Sequence, residues 1–259
     1  EGVFSYTITE PSALSVTLMQ TNSIACYGDG DGRLQATATG GTPNYSYAWS
    51  HGASGRIVGN LVPGNYTVTV TDSKGCTATA SQTVTQPEEL IVTGTATGVL
   101  CTGDETGIIV AYGTGGTVTS GLLQYSIDGT TWQTGNIFAG LGAGIYTLSV
   151  RDQNGCVSDT SVVVEDADPF FITTMLGDTT LEYLDSLEVF ATVNDTAGVT
   201  YGWYQIEGTM GLITDSTYNF TVAPSEGVTY QFIATNSVGC QIDSIVVIEV
   251  EKPRNVNGA

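Results

Sequence analysis

The chain has few basic residues and almost no histidine. Its 259 residues include six Lys and Arg together and one His, against 26 Asp and Glu, which gives a net charge of −20 at pH 7. Nucleic-acid binding needs basic side chains to displace counterions from phosphates, so this charge argues against it. No apolar run reaches the roughly 18 residues of a membrane span, and no secretory signal opens the chain. We therefore expect no membrane span, and either a mature fragment or a segment of a longer protein.

Zinc-binding and catalytic motifs are also missing. The five cysteines form no C-x-x-C pair, whereas a zinc site needs four sulfur or nitrogen ligands in close groups. The single histidine, His51, lies in the turn "SHGASG" with no nucleophile motif beside it. The carboxylates are scattered over turns, and no pair is placed for glycoside hydrolysis. We expect a protein that is not an enzyme and has no cofactor.

Thr, Val, Ser, Gly and Tyr are abundant, which is typical of short strands joined by glycine turns. Residues 64–76, 144–156 and 228–240 repeat one pattern, in which a tyrosine lies ten residues before a cysteine. In the first copy, Tyr66 and the valines that follow alternate with threonines, which predicts a strand with one face in a core. The D-x-x-G or N-x-x-G that comes next predicts a hairpin turn.

These repeats predict the domain organisation. Tyr66, Tyr146 and Tyr230 recur at intervals of roughly 80 residues, which is the size of a seven-stranded immunoglobulin-type sandwich. Prolines in "TEPSALSV" and "TQPEELIV" predict short linkers between units. The fold prediction is all-β, a tandem array of three immunoglobulin-like β-sandwich domains. The predicted boundaries are 12–87, 88–169 and 170–252 for the three domains, with residues 1–11 as the last strand of a preceding repeat or a linker and 253–259 as a tail.

Aromatic residues at strand positions predict the cores. Tyr45, Tyr47 and Trp49 share one face of a strand, and "VTYGW" places Tyr201 and Trp203 in the same way. In the second unit, Tyr125 takes this role, because Trp132 follows a turn and is not equivalent.

Residues 3–10 align with residues 79–86, the last strand of the first unit. One interpretation is that they end an earlier repeat of a longer array. The other is a donor strand that pairs with the open edge of a neighbouring subunit.

The segment "CYGDGDGRLQATATGGTPNYSYAWSHG…LVPGNYTVTVTDSKGC" closely resembles the SprB-like repeat of Bacteroidetes gliding adhesins. The second unit is similar to a variant of that repeat, and the third to the immunoglobulin-like module that often precedes the sorting domain of type IX secreted proteins. The resemblance implies a large extracellular protein, exported to the cell surface and associated with the outer membrane, that acts in adhesion or gliding. It implies as partners the other repeats of the same long chain or neighbouring filament subunits.

Three functions are compatible with this resemblance. The first is a non-catalytic stalk or filament segment of tandem repeats. The second is a module that binds surface polysaccharide, and the third is an accessory region of a secreted hydrolase. A sugar platform needs exposed aromatic rings, whereas most of the Trp and Tyr residues here fall on core-facing strand positions, which favours the stalk.

The cysteine positions predict two disulfides. Cys26 with Cys76, and Cys101 with Cys156, bracket the first and second units at matching places. Such loops of about 50 residues would each contribute on the order of 4 kcal/mol in the chain-entropy model. The alternative is buried free thiols. Cys240 has no equivalent partner in its own unit, and we expect it to be unpaired, as a buried small hydrophobe. The alternative is a cross-link to another chain.

The loop "CYGDGDG" is a candidate calcium site through Asp29 and Asp31. Its copy in the second unit, "CTGDETG", keeps the first aspartate but has Thr106 in place of the second. The shared residues therefore predict a tight turn, with calcium as the alternative.

In the third unit each aspartate is followed by Ser or Thr and a small or apolar residue, a pattern similar to the O-glycosylation signal of Bacteroidetes. The alternative is that these pairs are ordinary turn starters. The candidate glycan acceptors are Thr179, Ser186, Thr196, Ser216 and Ser244.

Overall fold

The structure is a computed structural model that describes residues 9–118, 122–183, 185–206, 211–214 and 218–252. These residues form twenty β-strands and no helix, which confirms the all-β prediction. They divide into two compact units, one made of 1–95, 110–137 and 146–162 and the other of 96–109, 138–145 and 163–259. Among the described residues there is no helix of the length and apolar character that could span a membrane.

The first six strands form two three-stranded sheets. One sheet has the order β1-β2-β4 and the other β3-β5-β6. This is the strand order of an immunoglobulin sandwich, with an A-B-E sheet and a C-F-G sheet. The bounds are β1 (Ser15–Asn22), β2 (Gly32–Thr39), β3 (Ser46–Trp49), β4 (Ile57–Leu61), β5 (Gly64–Thr71) and β6 (Thr77–Val84).

The first sandwich has six strands, whereas the sequence predicted seven. The missing strand is the one that would lie between β3 and β4. Gly52 and Gly55, with φ of 89° and 105°, make a turn there, and the Trp49 N–H donates to the Ala53 carbonyl. The connection is therefore a compact turn, too short to form another strand.

The core of the first sandwich follows the predicted alternation. Tyr66, Val68 and Val70 are buried, as expected for one face of β5. The Tyr66 hydroxyl donates to the carbonyl of Val62, 2.9 Å away, which is the tyrosine-corner contact of immunoglobulin sandwiches. Trp49 is also buried, and its indole N–H donates to the Gly55 carbonyl at 2.9 Å.

The next six strands repeat the order of the first six. Their sheets are β7-β8-β10 and β9-β11-β12. Tyr125 is buried, as predicted, whereas Trp132 lies under the Arg151 guanidinium, 4.4 Å from its ring centre. The bounds are β7 (Glu88–Thr97), β8 (Gly107–Gly116), β9 (Gln124–Ser126), β10 (Ile137–Leu141), β11 (Gly144–Arg151) and β12 (Val157–Val164).

The last eight strands form a third sandwich, which has the six strands of the first two and two more. One sheet contains β13 (Ile172–Met175), β15 (Leu187–Val193) and β18 (Asn219–Val222). The five strands of the other, in sheet order, are β14 (Thr179–Glu182), β20 (Gln241–Glu251), β19 (Val228–Thr235), β16 (Thr200–Gln205) and β17 (Gly211–Thr214). The added strands are β14, which is parallel to β20, and β17.

Aromatic packing in the last sandwich matches the prediction. Trp203 and Phe232 are fully buried with ring centres 4.9 Å apart, and Tyr201 stacks on Phe232. All three strand sets lie inside the predicted domains, but the boundaries stay a prediction, because the middle set contributes to both compact units. Of the proposed donor strand, residues 3–8 lie outside the described residues.

Candidate functional site

An aspartate fixes the hairpin that carries Cys76. Asp72 Oδ1 accepts hydrogen bonds from the backbone N–H groups of Lys74 and Cys76, both at 2.9 Å, and Oδ2 accepts one from Thr42 at 2.8 Å. Gly75 completes the turn with a φ of 85°, which favours glycine. The carboxylate therefore ties the backbone of the cysteine to the turn and to the end of β2.

The same arrangement recurs in the other two repeats. Asp152 accepts from the backbone N–H of Cys156, and Asn236 accepts from that of Cys240, both at 2.9 Å. We call Cys76, Cys156 and Cys240 the hairpin cysteines. Since each has its backbone held by the same kind of bond, all three are presented in one local geometry.

The loops before β2 and β8 carry the remaining cysteines, and we call residues 25–31 and 100–106 the opening loops. Asp31 Oδ1 accepts a hydrogen bond from the Ala25 N–H at 3.1 Å. In the second loop the Thr106 hydroxyl accepts from the Leu100 N–H at 2.8 Å. Thr106 therefore replaces Asp31 as a hydrogen-bond acceptor, which explains how the loop keeps its form without the second carboxylate.

The calcium prediction for Asp29 and Asp31 stays a prediction. Asp31 already accepts a backbone hydrogen bond, and the Asp29 N–H donates to the Cys26 carbonyl within the turn. In the part of the chain that the structure describes, no group of three or more His, Cys, Asp or Glu is placed to hold a metal ion.

Replacing Asp31 by Thr separates the two roles of this carboxylate. The variant keeps a hydrogen-bond acceptor for Ala25 but removes one candidate calcium ligand, so we expect an unchanged melting temperature with calcium or with chelator. Asp31→Ala, the matched control, removes the acceptor and is expected to lose about 1 kcal/mol of unfolding free energy. A calcium-dependent midpoint that Asp31→Thr abolishes would assign the site to calcium instead.

The two disulfides differ from the predicted pairs. Cys26 is bonded to Cys156, with a Cα–Cα distance of 5.7 Å, and Cys101 to Cys240, with 5.6 Å. The predictions that Cys26 pairs with Cys76, that Cys101 pairs with Cys156 and that Cys240 is unpaired were therefore wrong. Cys76 has the free thiol, and it is exposed. Each disulfide joins the opening loop of one repeat to the hairpin of the next.

Strand direction explains why the predicted pairs do not form. The opening loop precedes β2, whereas Thr42, just beyond the other end of β2, is the residue that bonds to the Asp72 hairpin. An eight-residue strand is about 26 Å long, and a disulfide requires Cα atoms within roughly 7 Å of each other. Cys26 and Cys76 therefore lie at opposite ends of one sandwich and cannot bond to each other.

Hydrogen bonds surround the first disulfide. The Asn154 side chain donates to the carbonyl of Ala25 at 2.9 Å, and the Gly28 N–H donates to the side-chain oxygen of Gln86 at 2.9 Å. Around the second disulfide, the Thr102 hydroxyl donates to the Ala167 carbonyl at 3.3 Å. The opening loops are thus held by polar contacts as well as by a covalent bond.

The remaining predicted residues take no part in the two disulfides. His51 is exposed and meets the ring of Tyr66 edge-on, with centres 5.1 Å apart. Ser186 and Thr196 are exposed, Thr179 and Ser244 are half-buried, and Ser216 lies outside the described residues. Glycosylation of these five side chains stays a prediction.

Asp72 gives the hairpin a pH dependence. The Thr42 N–H, with smaller contributions from those of Cys76 and Lys74, lowers the pKa of Asp72 against the opposing effect of burial. Because the folded-state pKa lies below the unfolded value of about 3.9, this stabilisation is complete above that pH and is lost as the pH falls through the folded-state pKa.

We therefore expect Asp72→Asn to flatten the acid side of the stability curve. The variant keeps the Oδ1 acceptor, as Asn236 does in the third repeat, but no longer titrates. Denaturant unfolding between pH 2 and 7 measures the effect. If the unfolding free energy of both proteins changed equally with pH below pH 4, Asp72 would not be among the groups that cause the loss of stability in acid.

Comparison with known proteins gives one family match. Residues 19–54, which include the first opening loop, match the family model of the SprB repeat. No curated protein matches the chain in sequence.

Solved structures with immunoglobulin or fibronectin domains are similar at low identity. The N-terminal eight Ig domains of Down Syndrome Cell Adhesion Molecule align over 91% of this chain and 34% of that one, with 14% identity and a TM-score of 0.39. This chain thus spans about a third of that structure. An I-band fragment of titin aligns over 95% and 100%, with 13% identity and a TM-score of 0.37.

Fibronectin(III)-like modules of CbhA from Clostridium thermocellum align over 65% of this chain and 98% of theirs, with 17% identity and a TM-score of 0.28. All these scores are below 0.5, so the immunoglobulin-like assignment rests on the strand order and the tyrosine corner described above. The matched residues 19–54 hold Cys26, Asp29, Asp31 and Trp49, on which the sequence resemblance was based. Within the first sandwich, residues 19–54 are therefore similar to the SprB repeat, in agreement with the resemblance of this unit.

Proposed function

We propose that this chain is a non-catalytic segment of the stalk or filament of an extracellular adhesin, used for attachment or gliding. The observation that carries the proposal is that both disulfides join one repeat to the next in chain order. Disulfides persist in oxidising compartments outside the cytosol, which supports an exported protein.

A bond between consecutive repeats has a different consequence from a bond within one sandwich. If a protease cuts the linker between β6 and β7, the Cys26–Cys156 disulfide still joins the two repeats. Under tension the same bond carries load past the linker. A tether exposed to shear and to proteases benefits from both properties.

The tryptophans support a stalk over a sugar-binding module. Trp49 and Trp203 are 4% and 0% exposed, and one face of the half-buried Trp132 is covered by Arg151. Carbohydrate platforms use exposed aromatic faces, which Trp49 and Trp203 do not offer and which Arg151 restricts on one side of Trp132. In this proposal, other parts of the parent protein bind surface polysaccharide and associate with the outer membrane.

Replacement of the segment in the parent protein tests the proposal. Residues 12–252 would be exchanged for three unrelated immunoglobulin-like domains of equal length, and surface attachment of the cells would be measured. A stalk can be exchanged, so attachment should persist, whereas deletion of the same residues should reduce it. Loss of attachment after the exchange, at equal surface display, would indicate a binding role instead.

A further inference from the structure

Cys76 is the one hairpin cysteine without a disulfide, although its surroundings match those of the two that have one. Its N–H is held by Asp72 at 2.9 Å, as Cys156 is held by Asp152 and Cys240 by Asn236. The thiol of Cys76 is exposed. At the two equivalent positions in the same chain, the hairpin cysteine is bonded to the cysteine of an opening loop.

The surface around Cys76 repeats the surface around Cys156. Asp72 bonds to the Thr42 N–H at 2.8 Å, just as Asp152 bonds to the Thr117 N–H at 2.7 Å. Both connections begin with two glycines in the left-handed region, so the backbone follows the same course. The hairpin end of the first sandwich is thus built like the end that receives the Cys26 loop.

Hydrogen-bonding groups are also matched at this end. Gln86 accepts from the Gly28 N–H of the incoming loop, and Glu10 lies at the corresponding place before Pro11 with a carboxylate that can accept the same bond. Asn154 donates to the Ala25 carbonyl of that loop, and Lys74 aligns with Asn154 and carries a donor.

We propose that Cys76 forms a disulfide with the cysteine of a C-x-G-D opening loop in a repeat that precedes residue 12. The sequence of residues 3–10, which aligns with the last strand of the first repeat, agrees with such a repeat. Both thiols lose their proton and one electron each as the S–S bond forms. A protein disulfide oxidant of the export compartment accepts the two electrons and two protons and becomes a dithiol.

The disulfides between repeats run in one direction along the chain. Repeats one and two each offer an opening-loop cysteine to the repeat that follows, and each of the three repeats has a hairpin cysteine to receive one. The third repeat has no opening-loop cysteine, because Cys240 is its single cysteine. In this series, Cys76 receives a cysteine from the repeat before residue 12, and Cys240 is the last hairpin cysteine that receives one. The inference deepens the proposed function by naming the partner of Cys76.

A tandem chain tests this directly. Residues 12–87 are duplicated ahead of the present first repeat, so that the junction reads "TQPSAL" and matches the natural linkers, and Cys76 of the added copy is changed to Ser. We expect no free thiol, and peptide mapping without reduction should show a Cys26–Cys76 link beside the Cys26–Cys156 and Cys101–Cys240 links.

The matched control carries Cys26→Ser in the added copy as well, and it should regain one free thiol at Cys76. A free Cys76 in the first tandem chain, or a covalent dimer through it, would overturn the inference. If Cys26–Cys156 and Cys101–Cys240 persist in that case, the proposed function stands without it. Peptide mapping of the native parent protein is the second measurement, in which Cys76 linked to a C-x-G-D peptide supports the inference and free Cys76 refutes it.

Discussion

Reduction of the two disulfides should lengthen the fully stretched chain by about 55 nm between Cys26 and Cys240. Without bonds, the whole chain from position 26 to position 240 is stretched, and each extended residue adds about 3.5 Å. With both bonds intact, the shortest covalent path runs from Cys26 across to Cys156, back along the chain to Cys101, and across to Cys240. The bonds therefore leave only the chain between positions 101 and 156 to be stretched. The difference between the two paths is about 159 residues, or about 55 nm.

Single-molecule force spectroscopy with and without reductant measures this length. Cys76→Ser is the control, because it removes a cysteine without altering the path. The pairs predicted from sequence, Cys26–Cys76 and Cys101–Cys156, would leave two stretches in the path, one from Cys76 to Cys101 and the other from Cys156 to Cys240. Reduction would then release about 105 residues, and a gain of about 37 nm would contradict the structure.

Removing the first disulfide should cost about 5 kcal/mol of unfolding free energy. Cys26–Cys156 closes a sequence separation of 130 residues, and the chain-entropy model gives this value for a loop of that length. The variant with both Cys26→Ser and Cys156→Ser avoids a new free thiol, and denaturant unfolding without reductant measures the change. Cys76→Ser is the matched control and should change stability by less than about 0.5 kcal/mol, because Cys76 is exposed and forms no disulfide among the described residues.

Loss of both disulfides should cost less than twice this amount. Cys101 lies within the loop that Cys26–Cys156 closes, so the two bonds restrict overlapping parts of the unfolded chain. Mutations that share such a constraint are not additive. One result would contradict the Cys26–Cys156 pairing. If Cys76→Ser destabilised the chain as much as Cys26→Ser with Cys156→Ser does, Cys76 would be one of the bonded cysteines.

Local features of the fold were predictable from sequence because they depend on neighbouring residues. The alternation after Tyr66 placed one face of β5 in the core, and the aromatic pattern placed Trp49 and Trp203 there. The glycine turn after Asp72 was equally visible, since glycine alone readily takes a φ near 85°.

The disulfide pairing was not predictable from spacing, because it depends on which end of the sandwich each loop occupies. Cys26 and Cys76 bracket one repeat in sequence, but β2 runs between the opening loop and the hairpin end. The immunoglobulin strand order contained the signal, since its A–B and F–G connections lie at opposite ends. Applying that order would have excluded the pair and left the next repeat as the source of a partner.

The role of Asp31 was also hidden at the sequence level. Two carboxylates among glycines suggested a cation, whereas the structure shows an acceptor for the Ala25 N–H that Thr106 replaces in the second loop. A hydroxyl and a carboxylate are unlike as metal ligands but equivalent as acceptors for one backbone donor. The substitution between the copies was therefore informative about hydrogen bonding.

Peptide mapping of the unreduced protein tests the central claim most directly. We expect one peptide pair that joins Cys26 to Cys156 and one that joins Cys101 to Cys240, with Cys76 recovered as an alkylated thiol from the isolated chain. Recovery of Cys26 linked to Cys76 and of Cys101 linked to Cys156 would place each bond within one repeat. That result would contradict the account of repeats joined in series.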